Sequence, residues 1–346
     1  MAGPIRVVRA LSRALLLLVL SACAKKVTVA PPETIRVGAL AAAAVPPANV
    51  ALYVGVTDDK GAVTDLDASS FEVYENDERV PPSDAKLTLL PRDLVTSEHV
   101  VLLVDLSGKL GDEERASYAR AVEAFVRKLQ TTLSVTVLGY AGDAALKPIG
   151  DYPRANSALE APTPSAVTLA RLPAPDSSRD LYGAVVRGLE TLGQKLSAEQ
   201  KPIQLGTLVV FARGPDLAGR LSDEEMEEAI QASQSGIIGI AMSEDTEYLE
   251  FAKNGLFIAD DPASVPNALP IAFEEAAARV MKAYRKYYLV QYCSPARSGK
   301  RRVRLEVHQK TDAGAERLGV ERFEFEADGF SDGCDPEAAP SFAEEP

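Results

Sequence analysis

Between His99 and Tyr287 the chain alternates short, unbroken apolar runs with longer stretches whose apolar residues recur at helical spacing. Val100–Val104 contains no polar residue, the pattern of a strand covered on both faces. Asp112–Gln130 follows, with Tyr118, Ala121, Val122, Phe125, Val126 and Leu129 on one helical stripe. The alternation continues through Val135–Tyr140 (strand), a Pro-rich connection at Pro148–Pro175 and Leu181–Leu196 (helix). Next come Thr207–Ala212 (strand), Ser222–Gln234 (helix), Gly236–Met242 and Leu256–Ile258 (strands) and Ile271–Arg285 (helix). Ser222 and Glu225 have the spacing of a capping box, which marks where the third helix starts. Strands and helices in this order predict an α/β fold over residues 93–286, a doubly wound and mostly parallel sheet with helices on both faces.

On either side the period changes to two. Leu52, Val54 and Val56 alternate with Ala51, Tyr53 and Gly55, and Phe71, Val73 and Tyr74 make a second strand. Tyr288–Tyr292, Val303–Val307 and Arg322–Phe325 repeat the pattern. Residues 49–92 and 287–334 are expected to form one small antiparallel β-sandwich with the α/β domain inserted in it. The turn acids Asp58, Asp59, Asp65 and Asp67 lack the spacing of a calcium loop and read as a solvated turn. Tyr284, Tyr287, Tyr288 and Tyr292 gather where the two domains should meet and read as interdomain packing. Residues 23–48, rich in Ala, Pro and Val, read mostly as a tether, with a strand near Thr34–Val37. Residues 335–346 read as a disordered acidic tail.

The first residues set compartment. Arg6, Arg9 and Arg13 precede a short apolar run, Ala14–Leu20, and then Leu20-Ser21-Ala22-Cys23. A membrane span needs about 20 apolar residues, so residues 1–22 read as a signal peptide. The small residues before Cys23 resemble the lipobox of bacterial lipoproteins, which implies cleavage before Cys23 and lipidation of its thiol; an ordinary signal peptide is the alternative. Each buried methylene of such a lipid contributes about 0.8 kcal/mol to anchoring. Ala24 after the cysteine, rather than Asp, implies the outer membrane. The chain carries −13, and removing the three arginines takes the side chains to −16. That balance argues against nucleic acid as a partner and leaves the lipid as the only membrane contact. Cys293 and Cys334 remain as a pair in an oxidising compartment, which reads as a disulfide, with two free thiols the alternative.

Ligands of open α/β sheets bind at the carboxyl ends of the strands. The first such end reads Val104-Asp105-Leu106-Ser107-Gly108-Lys109. Two later segments, Asp180-Leu181-Tyr182-Gly183-Ala184 and Leu208-Val209-Val210-Phe211-Ala212-Arg213-Gly214, follow in order. Together these resemble the von Willebrand factor type A family, whose first strand ends in Asp-x-Ser-x-Ser. Its metal-ion-dependent adhesion site adds a Thr and an Asp from two further loops. The resemblance implies a Mg²⁺-like ion whose open position captures an acidic group on a partner. This chain keeps Asp105 and Ser107 but has Lys109 at the third position. Arg179, beside Ser177 and Ser178, stands at the Thr position, and Arg213 at the Asp position. Two unit charges 4 Å apart interact by about 4 kcal/mol at an effective dielectric near 20, so one Asp among several cations is a poor ion site. The expected site is degenerate: Asp105, Ser107, Lys109, Ser178, Arg179 and Arg213, with an arginine or lysine replacing the ion, or with Lys109 and Arg213 merely solvated at the rim. If an ion were retained, Asp105 and Ser107 would hold it.

Enzyme signatures are missing. His99 and His308 are the only histidines, and G-x-S-x-G, H-E-x-x-H and a phosphate loop are all absent. The acids Asp223, Glu224, Glu225, Glu227 and Glu228 read as a solvated helix face near its N-terminus. The expectation is an exported, lipid-anchored, non-enzymatic interaction module of the bacterial envelope. It would bind an envelope protein without a cofactor. The alternatives are a Mg²⁺-dependent adhesion domain and, more remotely, an envelope hydrolase.

Overall fold

The structure is a computed structural model and describes residues 35–108, 111–155, 177–259, 268–310 and 314–342. The expected signal segment, Cys23 and Lys109 lie outside the described residues. No helix among the described residues is long and apolar enough to cross a membrane.

The chain begins with β1 (Arg36–Val45), β2 (Asn49–Asp58) and β3 (Gly61–Ala62), then β4 (Phe71–Glu75) and β5 (Glu78–Arg79). A single helical turn, α1 (Pro82–Ala85), leads to β6 (Thr88–Leu90). The α/β unit follows as β7 (Thr96–Asp105), α2 (Asp112–Leu129), β8 (Ser134–Tyr140), β9 (Lys147–Tyr152) and α3 (Leu181–Ala198). It ends with β10 (Ile203–Ala212), α4 (Asp223–Ala232), β11 (Gly236–Ala241), β12 (Leu256–Ile258) and α5 (Ala268–Arg285). The chain closes with β13 (Tyr287–Cys293), β14 (Lys300–Lys310) and β15 (Glu316–Glu326).

The central sheet has the order β12-β11-β10-β7-β8-β9, parallel except for the antiparallel edge strand β9. Val100 to Val104 are all 0% exposed, and their alternation explains the unbroken apolar run. Val100, Leu102 and Val104 face a core with Phe125 of α2 and Phe273 of α5. Val101 and Leu103 face the opposite core with Leu181 and Leu192 of α3 and Met226 of α4. This is the doubly wound α/β arrangement expected from the sequence. Strand β9 falls at the start of what the sequence reading takes for a Pro-rich connection. It pairs with β8 through a register shift at Pro148–Gly150, an edge position where a missing N–H is tolerated.

The flanking strands form two antiparallel sheets, β1-β2-β13-β6 with β3 on β2, and β15-β14-β4-β5. Val50, Leu52, Val54 and Val290 of the first pack against Val73, Val303, Leu305 and Val307 of the second. Because β6 and β13 are hydrogen-bonded neighbours (Leu90 opposite Leu289), the chain leaves the sandwich and re-enters it at one place, so the α/β unit is an insertion. The outer face of the first sheet, with Tyr53 and Leu289, meets Val95 and Ile203 at the amino ends of β7 and β10. Arg92 bridges the junction by donating to the Tyr284 carbonyl and pairing with Glu98 at 3.5 Å.

Several expectations are corrected here. The tether gives way to a ten-residue strand, Arg36–Val45. Alanine has low β propensity, but pairing along nearly all of β2 overrides it. The tail expected to be disordered is ordered through Phe342, which packs with Tyr53 and Leu289. Buried Gln291 donates to the carbonyls of Pro336 (3.1 Å) and Ala338 (2.9 Å). Asp58 is not a solvated turn residue: it is 8% exposed and pairs with Arg317 at 2.6 Å. The four tyrosines divide. The Tyr284 hydroxyl donates to the Leu205 carbonyl (3.1 Å) and Tyr287 stacks on Tyr53 at the junction. Those of Tyr288 and Tyr292 instead reach the Val63 carbonyl and Glu75 within the sandwich.

Cys293 and Cys334 are joined by a disulfide that closes a 41-residue separation. In the chain-entropy account a loop of that length contributes about 4 kcal/mol. Reduction, or Cys334→Ser, should therefore lower unfolding stability by about 4 kcal/mol, read from urea unfolding with the slope fitted freely, which should rise as the unfolded chain expands.

Candidate functional site

In the central sheet β7 is followed in sequence by β8 on one side, while β10 lies on its other side. The carboxyl ends of β7 and β10 therefore form the topological switch point, where open α/β sheets bind ligands. Asp105 is the last residue of β7, and Arg213 follows the last residue of β10.

The Asp105 side chain is 0% exposed, and both its oxygens accept hydrogen bonds. Oδ1 accepts from the Ser107 N–H at 2.8 Å. Oδ2 accepts from Nε of Arg179 at 2.5 Å and from the Arg213 N–H at 2.9 Å. A buried carboxylate is tolerable only with such compensation, because desolvation of an unpaired one costs several kcal/mol. Arg179, itself buried, extends Nη1 to the Pro215 carbonyl at 2.9 Å. Its own carbonyl accepts from Leu217 and Ala218, so one residue clasps the loops before α3 and after β10. A Cβ on Gly214 would lie 3.0 Å from Nη1 of Arg179, which explains why that loop passes the guanidinium with a glycine.

Arg213 closes the mouth. Its Nη1 donates to the Ser107 carbonyl at 2.9 Å, and Nη2 reaches Oε1 of Glu114 at 3.3 Å. The same Glu114 caps α2 by accepting from the Gly111 N–H. Arg213 therefore lies across the loop instead of standing solvated at the rim. Ser107 is buried. Ser178 is half-buried and Ser177 exposed.

Some contributors carry weaker sequence signals. Asp216 accepts from the N–H groups of Leu181 (2.6 Å) and Tyr182 (3.3 Å), satisfying donors at the start of α3 from a distant loop. The clue in sequence is Pro215-Asp216-x-x-Gly219, whose glycine N–H also bonds Asp216. Asp180 caps the same helix through Gly183 and pairs with Arg187 at 2.7 Å. A Cβ at Gly183 would fall 2.5 Å from that carboxylate. Tyr118, 2% exposed, has a hydroxyl without a partner among the described residues. Burial pushes its phenol far above the ordinary value, with the charges of Arg213 and Asp105 adding opposed smaller effects.

A hard divalent cation requires several oxygen ligands with free lone pairs. At this switch point Asp105 already accepts from three N–H groups, one belonging to a guanidinium. Glu114, Asp180 and Asp216 are engaged in caps and ion pairs. The described donor set does not fit the ion that the resemblance implies. Elsewhere Glu72, Glu306 and His308 bring ligand atoms within 4.8 Å of one another. There Glu72 pairs with Arg79 and Glu306 with Arg304.

The histidines stand apart from this site. Buried His99 shares the Thr136 hydroxyl at 2.8 Å, and that hydroxyl lies 2.5 Å from Asp151. His308 contacts Glu306 on the sandwich.

No family model matches the chain, and no curated protein matches it. Among solved structures it is similar to a von Willebrand factor type A protein from Catenulispora acidiphila, at 13% identity over 85% of this chain and 73% of that one, with a TM-score of 0.41. It is also similar to the SpRpn10 VWA domain, at 15% identity over 51% and 93%, with a TM-score of 0.37. Proximal thread matrix protein 1 of the mussel byssus shows 14% identity over 53% and 49%, with a TM-score of 0.37.

Two outcomes are expected. Arg179→Met strands a buried carboxylate and should cost about 3–5 kcal/mol; Asp105→Leu in the same chain should recover only part of it, because the Ser107 and Arg213 N–H groups lose their acceptor, as measured by urea unfolding of both variants. Burial lowers the His99 pKa from 6.5 to about 4. The unfolded chain takes up the proton first, so stability is full above about pH 6.5 and falls as pH drops toward 4, by up to about 3 kcal/mol. Urea midpoints between pH 7 and pH 4 should show this slope, and His99→Gln should flatten it.

Proposed function

We propose that this chain is an exported, lipid-anchored, non-enzymatic protein-interaction module of the bacterial cell envelope. It binds its partner through the carboxyl-end face of the central sheet, without a metal ion. One observation carries the reading: the acid at the switch point, Asp105, is saturated by Arg179 and two backbone N–H groups. A guanidinium is permanently charged and directs its donors in a fixed plane. It holds the three loops in shape as an ion would, with no dependence on the ion supply.

The face around it suits recognition of a protein better than catalysis. Arg213 is partly exposed over the mouth, and Leu217, 61% exposed, stands four residues later on the same loop. An apolar side chain beside a fixed cation fits a partner presenting an acid next to an apolar residue. Burial keeps His99 neutral down to about pH 4, and it lies near the opposite end of β7. The lipid anchor rests on Leu20-Ser21-Ala22-Cys23.

The test is a cross-linked pull-down of the full chain from native membranes, with magnesium and with chelator. The same partner should be captured in both lanes, and Cys23→Ala should move the bait to the soluble fraction. A partner lost on chelation would overturn metal independence. A Cys23→Ala protein that still sediments with membranes would overturn the anchor.

A further inference from the structure

The outer face of the four-stranded sheet β15-β14-β4-β5 carries a charge pattern that the interaction site does not use. Register places Arg79 opposite Tyr74, Tyr74 opposite Arg304, and Arg304 opposite Arg322. One transverse row thus holds three guanidinium groups and a phenol. Like charges directly opposite on neighbouring strands destabilise a sheet, so the Arg304–Arg322 pair calls for a compensating anion.

The protein supplies that anion incompletely. Arg79 pairs with Glu72 at 2.6 Å, and Arg304 pairs with Glu306. The Arg304 guanidinium also lies over the Tyr74 ring, 3.9 Å from its centroid. Arg302, two residues earlier on the same face, reaches Asp77 only at 3.7 Å, with side chains 70% and 82% exposed; solvent screens such a pair to little effect. Arg322 is exposed and has no ion pair among the described residues. Arg302, Arg304 and Arg322 line one groove of about 280 Å³ with Asp77, Val303, Phe323 and Glu324. Glu324, directly opposite Arg302, pairs with Lys300 and is a second carboxylate at the groove.

We propose that this groove binds a phosphate group, free or as an ester, through Arg302 and Arg322, with Arg304 fixed between them by Tyr74 and Glu306. A carboxylate brings one charge and two oxygens, whereas a phosphate monoester brings up to two charges and three strong acceptors. Guanidinium forks match that geometry in pairs. The surrounding chain, at −13, repels an extended polyanion. The occupant is therefore a discrete phosphate, for which inorganic phosphate or a monoester suits the row better than the single charge and two free oxygens of a phospholipid diester. Asp77 competes for Arg302 and keeps affinity modest.

The experiment is a titration of the full chain in low salt, followed by phosphorus NMR line broadening. The probes are inorganic phosphate, glycerol 3-phosphate and glycerophosphoglycerol, the soluble headgroup diester of a phospholipid, with acetate as competitor. Saturable phosphate binding is expected, weakened about tenfold by Arg322→Gln, the scale of one charge-assisted hydrogen bond. Arg302→Gln should weaken binding similarly, and neither substitution should lower the melting temperature; Arg322→Gln relieves the like-charge pair with Arg304 and should raise it slightly. Tighter binding of the diester would assign the site to a lipid headgroup; tighter binding of inorganic phosphate or the monoester would assign it to a small molecule. Binding that is absent, unchanged in Arg322→Gln, or displaced equally well by acetate would overturn the proposal.

Discussion

A carboxylate with no exposed surface sits at the carboxyl end of a parallel strand, and the architecture around it follows from the need to keep that charge. Asp105 lies where β7 and β10 end side by side, and a buried anion persists only when its oxygens are occupied. Its three donors come from three loops: Ser107 after β7, Arg179 before α3, and Arg213 after β10. Each donor is then held by something else. Arg179 is clasped by the backbone of Pro215, Leu217 and Ala218, and Arg213 by the Ser107 carbonyl and Glu114. Asp216 and Asp180 satisfy the start of α3 from both sides. The result is a closed set of hydrogen bonds in which displacing any one loop leaves the central charge exposed to its full desolvation penalty.

Much of the fold is legible in the sequence, and the reason is periodicity. An unbroken run such as Val100–Val104 has one economical explanation, a strand with helices on both faces, and those faces are the two cores observed. The capping pair Ser222 and Glu225 marks a real helix start because it satisfies two backbone donors locally. Elements that depend on partners far along the chain were harder to read. Of Arg36–Val45 only the start, near Thr34–Val37, reads as a strand; its alanines become β only because β2 lies alongside. The tail looked solvated because its order comes from Gln291, a disulfide and one aromatic, Phe342. At the site, only the resemblance to the von Willebrand factor type A motif points to Arg179 and Arg213 as neighbours of Asp105, and both donate to its carboxylate. The capping roles of Asp216 and Glu114 are not legible in the sequence, since each side chain acts on a backbone group whose position only the folded loops determine.

The insertion also sets a polarity. The sandwich meets the α/β unit at Val95 and Ile203, the amino ends of β7 and β10. The switch-point site lies at the other end of the same strands. Ten residues of β7 at about 3.3 Å each put roughly 30 Å between junction and site. A tether entering through β1 therefore reaches the sandwich first. In the function proposed above, this turns the interaction face away from the anchored end, while the arginine row stays on the sandwich. The two surfaces suit different ligands because different constraints made them. At the switch point, burial forces every charge to find an internal partner, so only the rim is left for recognition. On the sandwich face, solvent relaxes that demand, and strand register leaves Arg304 and Arg322 opposed while Glu306 pairs with Arg304. An external anion can complete the second surface without disturbing the hydrogen bonds that hold the first.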